Sequence, residues 1–198
     1  MMSKLPQVYL ARHGETAWVK GGRHTGRTDI PLTERGERNA QRLGKLLAGL
    51  QFARVWSSPS QRALRTCQLA GFGVEARVDP ELAEWDYGDY EGWTTPEIHQ
   101  REPTWTVFTH GCPGGESVAD AGRRADRVIG RLRAVNDDIL IFSSAHFLRA
   151  LTARWLGLDA ANGKYFLLST ATLSILSYEH TTNEPVIRLW NDDRHVGD

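Results

Sequence analysis

Cysteine is scarce among these 198 residues, and its two representatives, Cys67 and Cys112, stand far apart in no ligand-like spacing. A scaffold of several disulfides and a thiolate metal cage are both excluded by that count. A reduced, intracellular setting is the simpler expectation, with Cys67 a small buried residue of a helix. No run of about 18 apolar residues occurs, and the opening Met-Met-Ser-Lys-Leu-Pro carries no apolar h-region, so neither a membrane span nor secretion is expected. Net charge is missing as well, because Lys plus Arg total 24 and Asp plus Glu total 24. Nucleic acid and anionic membranes, which select for a basic excess, are not expected partners. No repeat, linker or low-complexity tract interrupts the chain, and no His/Asp/Cys cluster has ligand spacing, so neither metal nor cofactor is expected. These absences leave a cytoplasmic α/β chain, read as one domain over residues 1–198.

Short β-rich runs alternate with amphipathic helices, the pattern of a sheet covered on both faces. Thr33 is a candidate N-cap, with Glu34 and Glu37 at the positive helix end and an apolar stripe of Ala40, Leu43, Leu46, Leu47 and Leu50. Gly49 is its stop signal. Val55-Trp56-Ser57 reads as a strand, and Pro59, capped by Ser58, opens a helix through Arg62, Leu64 and Leu69. Ser117 and Asp120 have capping-box spacing ahead of Val118, Ala121, Ala125, Val128, Ile129 and Leu132. The unbroken run Ile139-Leu140-Ile141-Phe142 reads as a central strand buried on both faces, followed by a helix carrying Phe147, Leu148, Leu151 and Trp155. Two closing strands, about 172–178 and 186–190, pair through a hairpin and leave room for a homodimer. The stretch 86–115, rich in Gly, Pro and Trp, is too long for an ordinary connection and reads as a flap over a pocket.

Chemistry concentrates at Arg12-His13-Gly14-Glu15-Thr16, directly after the apolar run Val8-Tyr9-Leu10-Ala11. A strand ending there delivers an imidazole and a guanidinium to the carboxyl edge of a sheet, where open α/β proteins bind ligands, and Gly14 permits a sharp turn. Such a pair suits holding and attacking a phosphoryl group. A lone Arg-His-Gly is more often structural, so its company matters. That company is HTGRTDIPLTERG at 24–36, SSPSQRALRTCQLA at 57–70 and AEWDYGDYEG at 83–92. In order and spacing these segments resemble the histidine phosphatase superfamily, phosphoglycerate-mutase-like branch, across nearly the whole chain. The segments EWDYGDYEG, HGCPGGES and LSILSYEHTTNEPVIRLW look most like its acid phosphatase and sugar-bisphosphatase members.

The resemblance implies a three-layer sandwich with a mostly parallel central sheet flanked by helices. It also implies metal-independent hydrolysis of a small phosphorylated metabolite, of sugar phosphate or phosphoglycerate type, through a phosphohistidine at His13. Arg12 and Arg62 match the family's phosphate-binding guanidiniums, each offering a planar fork of donors. Glu84 falls at the general acid and base position, a role served by a carboxyl whose pKa rises beside a bound dianion; an acid-range optimum follows if its protonated form starts the reaction. Thr25 and Gly26 fall where relatives touch substrate, and Trp85 and Tyr87 either line the same pocket or belong to the core.

The chain departs from the family at Ser143-Ser144-Ala145-His146-Phe147-Leu148-Arg149. Relatives carry a second histidine where Ser144 stands, and Ser144 offers one neutral hydrogen bond without a charge. His146, with the helix start at Ala145, is expected to compensate for that loss. Val19 and Thr95 replace an asparagine and a lysine that grip a second acidic group in mutases, so hydrolysis ranks above mutase chemistry. A phosphate-ligand-binding relative with little turnover is the alternative raised by Ser144. Among the remaining polar residues, His24 and His110 are read as surface or pocket-rim groups, and Arg123, Arg124 and Arg127 as a solvated helix face.

Overall fold

The computed structural model describes residues 5–197. Along the chain run β1 (Val8–Arg12), α1 (Ala17–Lys20), α2 (Glu34–Leu47), β2 (Arg54–Ser57), α3 (Gln61–Leu69) and β3 (Ala76–Val78). After them come α4 (Thr95–His99), α5 (Val107–His110), α6 (Val118–Arg133), β4 (Ile139–Ser143), α7 (Ala145–Trp155), β5 (Leu173–Tyr178) and β6 (Pro185–Asp192). The strands form one sheet in the order β3-β2-β4-β1-β5-β6. Neighbours from β3 to β1 pair in parallel, whereas β5 runs antiparallel to both β1 and β6.

The alternation of side chains along β1 explains the layers. Val8 and Leu10 join Ile139, Ile141, Val128, Leu148, Leu151 and Trp155 on the α6/α7 face. Tyr9 and Ala11 join Leu43, Leu47, Val55, Cys67, Leu140 and Phe142 on the α2/α3 face. Each fully buried aliphatic or aromatic side chain contributes roughly 1.5–3 kcal/mol, so a strand sealed on both sides is held firmly in register. That register matters for function. Arg12 lies opposite Ser143 and Ser57 opposite Phe142, and the next residues stay paired through His13 N–H to Ser143 O (2.9 Å) and Ser58 N–H to Phe142 O (2.8 Å). The carboxyl ends of β1, β2 and β4 therefore open at one level of one sheet edge.

Thr33 caps α2 by accepting the Gly36 N–H, and Ser117 with Asp120 forms the capping box of α6, as their spacing predicts. Gly49 has φ +83°, the left-handed conformation that stops a helix. Two local expectations need correction. The α2 stripe is narrower than expected, since Leu46 and Leu50 are exposed. Helix α3 begins at Gln61 with Ser60 as its N-cap, and the orphan Gln61 N–H is satisfied by Asp29 Oδ1 at 2.9 Å from a distant loop instead of by Ser58. The 86–115 stretch, read as a flap, packs Tyr87, Tyr90, Ile98, Trp105, Val107 and Phe108 into a buried cluster with Trp85, Ala121, Ala150 and Ala160. Its helices, α4 and α5, have five and four residues, too short to leave a readable period in the sequence.

Candidate functional site

At the end of β1 the chain passes from Arg12 to a buried His13. The His13 Nδ1 lies 2.7 Å from the carbonyl oxygen of Gly14. A carbonyl can only accept, so the proton sits on Nδ1 and Nε2 keeps a lone pair. Burial holds the imidazole pKa well below its usual value, and the charges of Arg12 and Arg62 push it the same way. The ring is neutral at physiological pH and its nucleophilic nitrogen is fixed in orientation.

Gly14 serves this geometry by close approach. A Cβ there would come 2.5 Å from the carbonyl oxygen of Gly36, and one on Gly36 would come 2.3 Å from that of Glu15. Two facing glycines thus let the first turn of α2 rest on the loop carrying His13.

Two guanidiniums flank this loop. Arg12 donates from Nη1 to Leu168 O at 2.6 Å, and burial lowers its pKa to about 10, still cationic at neutral pH. Arg62, fully buried on the first turn of α3, donates to the carbonyls of Thr28 (3.1 Å), Thr25 (3.0 Å) and Gly26 (3.0 Å). The Nε of each arginine and the Oγ of Ser144 are buried with no hydrogen-bond partner. Buried orphan donors are uncommon in folded proteins; of these three residues only Arg12 lines the cavity that holds His13.

Glu84 enters from the segment after β3. Its Oε1 accepts from Trp85 N–H (2.9 Å) and Phe147 N–H (2.8 Å), and its Oε2 from His146 N–H (3.1 Å). The carboxylate thereby caps α7, whose own N-cap residue, Ser144, makes no side-chain cap bond. A cavity of about 180 Å³ brings together Arg12, His13, Thr25, Glu84, Tyr87, Ala145 and His146, along with Val19, Gly22, Arg23 and His24. A larger hollow of about 440 Å³ shares Glu84 but holds neither His13 nor Arg12. Among the described residues no group of three or more His, Cys, Asp or Glu side chains is placed to hold a metal ion.

With that geometry in view, comparison with known proteins is decisive: the model of the Histidine phosphatase superfamily (branch 1) matches residues 8–193. The chain belongs to this superfamily. It is 46% identical over 178 residues to an acid phosphatase of Mycobacterium tuberculosis, covering 88% of this chain and 87% of that protein. It is 34% identical to the sedoheptulose 1,7-bisphosphatase of Saccharomyces cerevisiae, covering 96% and 94%. Among solved structures, an open-reading-frame product of Mycobacterium tuberculosis superposes with a TM-score of 0.90 at 43% identity, covering 95% of this chain and 98% of that one.

Within this histidine phosphatase, several expected site residues stand elsewhere than expected. Trp85 is fully buried, packs on Phe108 and donates Nε1–H to Glu116 O, so it belongs to the aromatic core and not to the cavity wall. Gly26 lines the larger hollow, and its N–H is held by both carboxylate oxygens of Glu91. At the start of α7 the N–H groups of His146 and Phe147 are taken by Glu84, while Ala145 lines the cavity. The Nδ1 of His146 is 2.5 Å from Tyr87 Oη, and burial holds its pKa well below the usual value. His24 reaches the cavity rim, stacked 4.8 Å from Tyr87, with its pKa lowered to about 4 by burial. Arg124 overturns the reading of a solvated face. It is buried and bonded to the carbonyls of Glu81, Ala83 and Glu84, whereas Arg123 and Arg127 pair with Asp120 and Glu81 at the surface. Glu91 and Arg124 leave no signal in a single sequence, since an acid in a turn and an arginine on an amphipathic helix are commonplace.

Proposed function

We propose that this chain is a metal-independent phosphomonoesterase that works through a phosphohistidine at His13, and that its substrate is a small phosphorylated metabolite of sugar phosphate or phosphoglycerate type. The observation that carries the reading is the neutral His13, tautomer fixed by Gly14 and nucleophilic Nε2 free, beside two arginines with unpartnered Nε donors. In the first step Nε2 attacks phosphorus, the P–O bond to the substrate breaks, and the leaving oxygen takes a proton from Glu84. In the second, Glu84 takes a proton from water, which displaces the imidazole and releases phosphate. Arg12 and Arg62 neutralise the equatorial oxygens in both transition states, where positioning and electrostatics supply most of the rate. Ser144 adds a neutral hydrogen bond, and Thr25, Tyr87, Ala145 and His146 shape the wall against the leaving group.

The substrate class draws support from the acid phosphatase and sugar bisphosphatase relatives and from the cavity of about 180 Å³, below the usual range for drug-sized ligands. Hydrolysis ranks above mutase chemistry because Val19 and Thr95 stand where a second acidic group would be gripped, and Thr95 Oγ1 is instead 3.3 Å from His24 Nε2. A single-domain, cytoplasmic enzyme belongs to the same reading. The test is turnover of 4-nitrophenyl phosphate in a chelator, followed by an alkaline quench with labelled substrate. The expected result is chelator-resistant release and a labelled histidine that disappears in His13→Ala. Tight phosphate binding without release, or label on another side chain, overturns it.

A further inference from the structure

Glu84 stands in a segment, 83–87, that belongs to no helix and no strand. Its backbone is nevertheless held on two sides, and both holds lead to one partly buried ion pair. Arg124 donates Nη1 to Glu81 O (2.8 Å) and Ala83 O (2.7 Å), and Nη2 to Glu84 O (3.4 Å). The same guanidinium binds Glu116 through two bonds, Nε to Oε1 (2.8 Å) and Nη2 to Oε2 (2.7 Å). Glu116 in turn accepts Asp86 N–H on Oε2 and Trp85 Nε1–H on its carbonyl, while its own N–H goes to Asp86 O. Arg124 also stacks 4.2 Å over the ring of Phe147, whose N–H binds Glu84 Oε1.

From this network we infer that Arg124 and Glu116 are positioning residues for Glu84, clamping its carboxylate in the orientation that proton transfer requires. The inference rests on the reading of Glu84 as the proton-transfer group. A planar fork is needed for the task. Arginine spreads fixed donors over one carboxylate and three carbonyls, and lysine, a point donor on a flexible stem, cannot reproduce the set. Arg124 stands on the capped, sixteen-residue α6, so the rigidity of that helix passes to an otherwise irregular segment. Arg123, one position earlier, pairs only with Asp120 at the surface and is the natural control.

The test compares kcat/KM on two substrates, because this ratio covers only the steps through phosphohistidine formation. 4-Nitrophenyl phosphate has a leaving group that departs without a proton, whereas glycerol 2-phosphate releases an alkoxide that needs one. General acid catalysis is worth 10²–10⁴-fold in general, so Glu84→Gln is expected to lose about 100-fold or more on the alkyl ester and far less on the aryl ester. Arg124→Lys and Glu116→Gln are expected to reproduce the pattern in milder form, about 10-fold against less than about 2-fold, with Arg123→Gln unchanged on both. Circular dichroism identifies folded variants, and the isosteric Glu116→Gln carries the test if Arg124→Lys does not fold. Equal losses on both esters, or none in a folded variant, overturn the clamp while leaving Glu84 in place. A Glu84→Gln enzyme that loses both substrates equally overturns the role of Glu84 itself, and the clamp falls with it.

Discussion

Acid is the sharpest probe of this site, because three of its histidines are held neutral by burial. His13 and His146 have pKa values well below the usual one, and His24 is lowered to about 4, desolvation being the first cause in each. In the unfolded chain each regains a pKa near 6.5, so below that pH the unfolded state binds more protons and stability must fall as pH falls. The stability these residues contribute is fully present above about pH 6.5 and is lost on acidification. A histidine that stays neutral down to pH 5 costs about 1.4 kcal/mol per pH unit over the window, or about 2 kcal/mol. His24, lowered to about 4, accounts for about 2 kcal/mol of the loss, and His13 and His146 add losses of the same sign. For a chain of this size the His24 share alone corresponds to a drop in Tm of roughly 4–8 °C between pH 7.5 and pH 5. The window lies above the range in which Asp192 and Glu81, with their lowered carboxyl pKa values, add losses of their own. The assay is thermal melting at constant ionic strength in that interval, with His24→Gln expected to recover part of the loss, roughly 4–8 °C. A Tm that is flat or rises toward pH 5 would refute the reasoning. On the proposed mechanism the same protonation sets an acid limit on catalysis, since protonated His13 has no lone pair with which to attack phosphorus.

Other perturbations separate packing from chemistry. Arg62→Met should strand the carbonyls of Thr25, Gly26 and Thr28, each at about 1–3 kcal/mol, so a denaturant midpoint within error of the parent contradicts the assigned bonds. Gly36→Ala drives a methyl to 2.3 Å from the Glu15 carbonyl oxygen and should destabilise by about 1–3 kcal/mol, measured by urea unfolding. Ser144→Ala removes one neutral donor from the proposed phosphoryl site and should weaken inorganic phosphate binding about 5-fold, worth about 1 kcal/mol, with no effect on Tm; calorimetric titration reads it.

Local sequence was enough for whatever depends on local periodicity and local covalent geometry. The unbroken apolar run at Ile139–Phe142 announces a strand sealed on both faces, Thr33 and the Ser117/Asp120 pair announce helix starts, and the apolar run ahead of Arg12-His13 announces the strand that ends there. The short helices inside 86–115 escaped because four or five residues do not complete a readable stripe. Tertiary structure alone decided who meets whom across long separations. Only there does Glu84, not a capping serine, close the start of α7, and only there do Gly14 and Gly36 prove to be a contact. Arg124 shows why: its spacing from Ala121 and Val128 puts it on the buried side of α6, unlike Arg123, but only the tertiary structure supplies the three carbonyls, the carboxylate and the ring that enclose its guanidinium. Periodicity reports which face a residue belongs to, while the energetics of a buried charge depend on partners dozens of residues away that no local pattern encodes.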